Sequence, residues 1–467
     1  MLLYWTPPDT VLSFLKRHKN RMTLMTRRLS AVMAAGIGLW LAAGSAHAAD
    51  MVPVSDAARR GQAPSVAVGR DGSIHVIWLD KGPVGAPDKV GHAESPAGHT
   101  HQAWADIYYA RSTDGGKTFS GPIRVNAEDG EVWGFSVSKP NIDVGPTGTV
   151  HVFYPANEIS GTIGKPVAVS HYVRSIDGGK SFSRPVRLNG EPAEDLAEVV
   201  HGGLSQAHVF GTMSAGPEGN VYALWLDTRD MTAAWPVSKV YMAVSRDDGA
   251  TWEDEREVYG AGACPCCQLT STVSDQGALY VGGRLVHEDN QRDPVVGVST
   301  DGGRTFSERV KVSGKPWVLE GCPLKPTVLA ARDSSLYAAV FNGAVEPTGV
   351  LFSRSTDRGK TFEEAIQLHP DAAVSDSPAV VATSRGVYAF WHAKAGGERR
   401  IYMRTSTDNG ATWSDVTEVE SPPGAAGYPA AAAMPDGSAL LTWQQGEQIQ
   451  AMKVWTPVAC KNCDSPT

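Results

Sequence analysis

The sequence predicts an all-β propeller of four-stranded blades. Three observations carry that expectation: an octapeptide written six times, a hairpin pattern written seven times, and no helical apolar period of useful length after residue 50. The octapeptide is clearest at Ser299 to Phe306, Ser-Thr-Asp-Gly-Gly-Arg-Thr-Phe, and its other copies begin at Ser112, Ser175, Ser245, Ser355 and Ser406. The common pattern is Ser-x-Asp-x-Gly-x-Thr/Ser-Phe/Trp. Asp and Thr side chains bond the turn's own backbone, Gly supplies a positive φ, and the aromatic ring anchors the turn against its neighbours.

The second pattern is an extended strand, a Gly- or Asp-bearing turn and an alternating strand. It runs at Ala63 to Asp80, Lys139 to Pro155, Phe210 to Asp227, Leu269 to Arg284, Lys325 to Asn342, Ser377 to Ala393 and Tyr428 to Gln445. Seven hairpins against six octapeptides favour seven blades, with six as the alternative. The last blade lacks the octapeptide because its third strand, Ile449 to Trp455, is followed by the tail. Met51 to Val54 is expected to supply its outer strand and so close the ring. A single propeller over residues 49–458, with a tail at 459–467, is expected despite a length of 467 residues, because no blade buries its own faces.

Residues 1–48 read as a leader. Arg27 and Arg28 precede an apolar run from Leu29 to Ala43, too short for a bilayer span, and Ala46-His47-Ala48 offers the small residues of a cleavage site. The mature chain is therefore expected in the periplasm or outside the cell, with no membrane span and in a compartment where disulfides persist. The net charge is −8; the leader holds six basic and one acidic side chain, and its removal leaves −13. That balance excludes nucleic acid and anionic membranes as natural partners.

The octapeptide resembles the Asp-box, or BNR, repeat of the sialidase superfamily, and the resemblance covers most of the chain after the leader. It implies an exo-α-sialidase type of hydrolase acting on glycans, with an arginine cluster for the substrate carboxylate, an Asp acid/base and a Tyr nucleophile. On this resemblance Tyr428, in Ala426-Gly427-Tyr428-Pro429, matches the setting of the nucleophile and Arg284 that of one clamp arginine. The chain departs from the family where its first arginine is expected: Gln62-Ala63-Pro64 stands there, with Arg59 and Arg60 nearby. Glutamine does not replace the charge of a bidentate clamp. Asp80, Asp88 and Asp106 lie in roughly the loop expected to carry the acid/base, and Trp104, Trp133 and Trp235 in loops that could stack on a sugar.

Cysteine stands out instead. Cys264-Pro265-Cys266-Cys267 precedes the fourth inner strand and Gly321-Cys322-Pro323 the fifth, so propeller geometry brings four sulfurs to the funnel mouth. His201, His208 and His287 occupy loops of the same face, as do His92, His99, His101 and His392. Three readings remain open: a disulfide staple, a thiolate and imidazole site for copper or zinc, and a redox-active dithiol. The lone Cys460-Lys461-Asn462-Cys463 near the terminus suits a local disulfide. In function class, the sequence leaves an exported metal-binding or redox propeller, a glycan hydrolase, and a scaffold for a periplasmic protein partner.

Overall fold

The computed structural model describes residues 50–455, apart from 88–103, 135, 163, 165, 192–206, 232–236, 322, 345–347 and 373, together with the backbone of 47–48. Among them there is no helix and so none long and apolar enough to cross a membrane. The leader up to residue 46, the tail, and with them Cys460 and Cys463, lie outside the described residues.

Seven inner strands stand around a central channel, each touching the next and the last touching the first. In chain order they are Arg59–Val68, Asn141–Val144, His208–Ala215, Thr270–Val273, Thr327–Arg332, Ser375–Thr383 and Ala426–Ala433, and they define blades I to VII. In every blade the inner strand pairs antiparallel with a second strand and that with a third. The octapeptide then turns the chain into an outer strand, as in blade V, ordered Thr327–Arg332, Ser335–Asn342, Gly349–Ser355, Ile366–Gln367. Blade VII has no octapeptide. Its third strand, Gln448–Trp455, instead takes Val52–Pro53 from the N-terminal side, Val52 opposite Ala451, and the Val54 N–H donates to the Ile449 carbonyl at 2.9 Å. The ring closes as the sequence predicts. The backbone of His47 and Ala48 pairs with the far end of the same strand, opposite Trp455 and Val454, although the leader reading assigns those two residues to the removed segment.

The core lies between blades. Seven apolar clusters fill the seven blade boundaries, for example Trp78, Ile74 and Val54 with Leu440 and Ile449 between blades I and VII. Trp78, Trp225, Trp391 and Trp443, at equivalent second-strand positions, are all fully buried. Trp104 and Trp133 are also buried, face each other across paired strands, and so offer no platform to a sugar; Trp235 lies outside the described residues. The six octapeptides are turns with their own hydrogen bonds. In the first, the Asp114 carboxylate accepts from the Lys117 and Thr118 N–H groups and from the Thr118 hydroxyl, while the Gly116 N–H donates to Ser112 Oγ. Arginines then reach from one octapeptide to the next: Arg111, Arg174, Arg246 and Arg354 donate to the carbonyls of Gly178, Asp248, Gly302 and Asn409.

Two buried imidazoles make the fold acid-sensitive. Burial pushes His75 and His392 down to about 4, whereas an unfolded histidine titrates near 6.5. Between those values the unfolded chain binds protons that the native state refuses, so stability is full above about pH 6.5 and falls as pH drops toward 4. Thermal midpoints are expected to fall over that interval and to stay level from pH 7 to 8; a midpoint that is the same at pH 7.5 and 4.5 would contradict this.

Candidate functional site

Four of the seven inner strands begin with a bulge. Ala63, Phe210, Ser377 and Tyr428 adopt left-handed backbone, with φ of 52°, 51°, 48° and 54°. The ladder slips at the same places, between Gln62 and Ser65, Val209 and Thr212, Asp376 and Ala379, and Gly427 and Ala430. Pro64, Pro378 and Pro429 follow directly; proline cannot donate to a ladder and is accommodated at bulges. The bulges of blades VI and VII help line a cavity of about 220 Å³ whose wall includes Lys139, Asn141, Thr212, Gln268, Lys325, Asp376 and Tyr428.

Tyr428 therefore does face the cavity. Its ring meets His392 edge-on at 5.2 Å and lies 5.0 Å beneath the Arg399 guanidinium. Arg284 does not. Its buried guanidinium donates to the carbonyls of Lys325, Arg292 and Phe341, so it knits blades IV and V and has no part in the cavity wall. The wall holds no arginine among the described residues. Arg59 is bound to Asp80 through two hydrogen bonds of 2.9 and 2.7 Å, and Arg60 donates to the Lys81 carbonyl. The wall instead carries two lysines, which the sequence reading passed over. Both directly precede prolines at the starts of inner strands, Lys139-Pro140 and Lys325-Pro326, and that shared position was the available signal. Lys325 is paired with Asp376.

The cysteine turn joins the outer strand of blade III, Arg256–Ala263, to the inner strand of blade IV. The Cys264 N–H donates to the Arg284 carbonyl at 2.8 Å, and the Cys267 N–H returns to the Cys264 carbonyl. That curls the turn so that the three sulfurs converge within 4.8 Å of one another. Cys264 Sγ lies 3.0 Å from Cys267 Sγ and 3.6 Å from Cys266 Sγ, and all three residues are at most 1% exposed. Cys264 and Cys267 are free thiols. Cys266 is bonded, and its partner is outside the described residues.

The Cys267 thiol, the Cys266 N–H and the Arg292 and Arg284 charges together bring Cys264 down to about 7, against the opposing effect of burial. Arg292 Nη1 is 3.7 Å from its sulfur. Burial pushes Cys267 the other way. Of the two thiols, Cys264 is thus the one that gives up its proton first.

The histidines do not join it. His208 Nδ1 is 2.8 Å from Asp227, which also takes three hydrogen bonds from Arg229, one from its backbone N–H and two from its guanidinium. His287 Nε2 is 2.7 Å from Asp293, itself paired with Lys311. Each imidazole is held by a carboxylate of its own hairpin, and among the described residues only the three cysteines converge. Cys322, His201, His92, His99 and His101 lie outside the described residues.

The sequence matches the BNR repeat-like domain family over residues 137–313 and again over 213–441. The chain belongs to that family. The two overlapping matches reflect a repeat that aligns in more than one register. No curated relative matches the sequence. This BNR repeat-like chain is similar to a solved protein of unknown function from Dyadobacter fermentans, at 16% identity over 88% of this chain and 99% of that one, with a TM-score of 0.49. It is similar also to the Hadza microbial sialidase Hz136, at 12% identity over 86% and 94%, TM-score 0.47, and to a polysaccharide lyase, an ulvan lyase, at 11% over 75% and 80%, TM-score 0.46.

Proposed function

We propose that this BNR repeat-like propeller is exported and binds copper(I) through Cys264 and Cys267. The observation that carries the reading is the convergence of buried sulfurs, two of them free, beside Arg292 and Arg284. Thiolates without imidazole suit a soft ion of low coordination number, and two thiolates on copper(I) leave a single negative charge that the arginines offset. Zinc asks for four nitrogen or sulfur ligands, more than the described residues bring together. The leader supports export. The bond at Cys266 is proposed to run to Cys322 and to staple the starts of the inner strands of blades IV and V. Tyr428 on the cavity wall favours the glycan hydrolase, but no described arginine stands in that wall to hold a substrate carboxylate.

Protein purified from the periplasm under argon is expected to take up one copper(I) per chain in competition with a chromogenic chelator. Cys264→Ser and Cys267→Ser should each reduce this to none while circular dichroism stays unchanged, and Cys266→Ser should retain it. Wild-type protein with both thiols free that takes up no copper(I) would sink the proposal.

A further inference from the structure

Among the charged groups on the cavity wall, Lys139, Lys325 and Asp376, the second and third neutralise each other. Among the described residues Lys139 has no anionic partner, and its ammonium reaches only the Pro64 carbonyl, 3.4 Å away, a long and weak hydrogen bond. Its backbone is nonetheless fixed from two sides: Gln268 Oε1 accepts from the Lys139 N–H, and Gln268 Nε2 donates to the carbonyls of Lys139 and Gly211 at 2.8 and 3.0 Å, tying blades II, III and IV together at the cavity wall. A half-buried ammonium without a counter-charge is costly. Burial alone draws Lys139 down to about 8. Elsewhere around the channel, Tyr428 lies under the Arg399 guanidinium and its N–H donates to His392 Nδ1, and Asp143 stands further down, where the Ala215 and Val144 N–H groups hold its carboxylate.

We infer that this cavity binds a small monoanionic organic acid, its carboxylate against the Lys139 ammonium and its remaining polar groups toward Asn141, Thr212 and Tyr428. Among the described residues lining the cavity, one uncompensated positive charge matches one carboxylate. The cavity, at about 220 Å³, is smaller than the roughly 300–1,000 Å³ that accommodates drug-sized ligands, so the acid is a compact one. The inference is independent of copper at the cysteines, because Lys139 touches no sulfur.

The test uses the mature protein, without added metal, titrated calorimetrically with sodium acetate, glycolate and pyruvate, and with sodium chloride and phosphate at matched ionic strength. At least one of the carboxylates should saturate at one per chain and bind at least tenfold more tightly than chloride or phosphate. Lys139→Met should abolish that binding while the thermal midpoint of the ligand-free protein stays level or rises, since an unpaired charge is removed. In wild-type protein the affinity should fall at least fivefold from pH 7 to pH 9, as the ammonium titrates. Equal binding by Lys139→Met, affinity indifferent to pH over that range, chloride or phosphate binding as tightly, or no saturable carboxylate binding would each overturn the inference. Copper uptake should be the same in Lys139→Met as in wild type, which separates failure of this site from failure of the cysteine site.

Discussion

Gly179→Ala is expected to destabilise the protein by about 3 kcal/mol, the sum of left-handed backbone strain and overpacking. Gly179 is the fifth residue of the second octapeptide, at φ 84°, and its N–H donates to Ser175 Oγ at 2.8 Å. A Cβ there would stand 1.8 Å from the Tyr109 hydroxyl, which belongs to the preceding blade and is itself held by His75 Nδ1 at 2.7 Å. The methyl would have to dislodge a buried tyrosine and its histidine. Gly148→Ala separates the two effects: φ is 86° there as well, but no atom lies within 4 Å of the added Cβ. It should cost only the backbone share, about 1–2 kcal/mol. Equal denaturant midpoints for the two variants would show that the octapeptide glycine is not a contact between blades.

A second large effect is expected at the closure. Val54 is buried among Ile74, Trp78 and Ile449. Next to it, Ser55 Oγ accepts from the Ile449 N–H at 2.8 Å and the Ser55 carbonyl accepts from Gln448 Nε2 at 2.9 Å. Val54→Asp would place an unpaired carboxylate in that cluster and release the strand, at a cost on the order of 3–5 kcal/mol. The third strand of blade VII would then present an unpaired edge, an invitation to aggregation. Limited proteolysis should cut the variant first around residues 50–58 and leave wild type intact. A variant as stable and as resistant as wild type would mean that the ring is held without this strand.

The blade count was legible because each blade writes its own turn and its own alternating hairpin, and even the missing seventh octapeptide pointed to the closing strand. Convergence of the cysteine turn was legible from position alone. What could not be read was which polar groups were already satisfied. His208 and Asp227 lie nineteen residues apart but directly opposite in the ladder, so register, not composition, removed His208 from the sulfur site. Arg284 was lost for a similar reason. An arginine ending a second strand resembles a clamp in sequence, but the carbonyls of the neighbouring blade absorb it. Lys139 escaped notice because a lone lysine in a sequence carries no sign that its partner is absent.

The seven blades form only five hydrogen-bonded sheets. Val132–Trp133 joins blades I and II, and the outer strand of blade III continues through Ala263 to Leu285 of blade IV. Cys264 directly follows Ala263, so the sulfur pair is bolted behind a stretch of main-chain ladder that crosses a blade boundary. The three cysteines are at most 1% exposed, so an ion reaches their sulfurs as that boundary opens locally. Uptake by the folded protein is therefore expected to reach one ion per chain slowly, at the pace of that opening, and to quicken in mild denaturant.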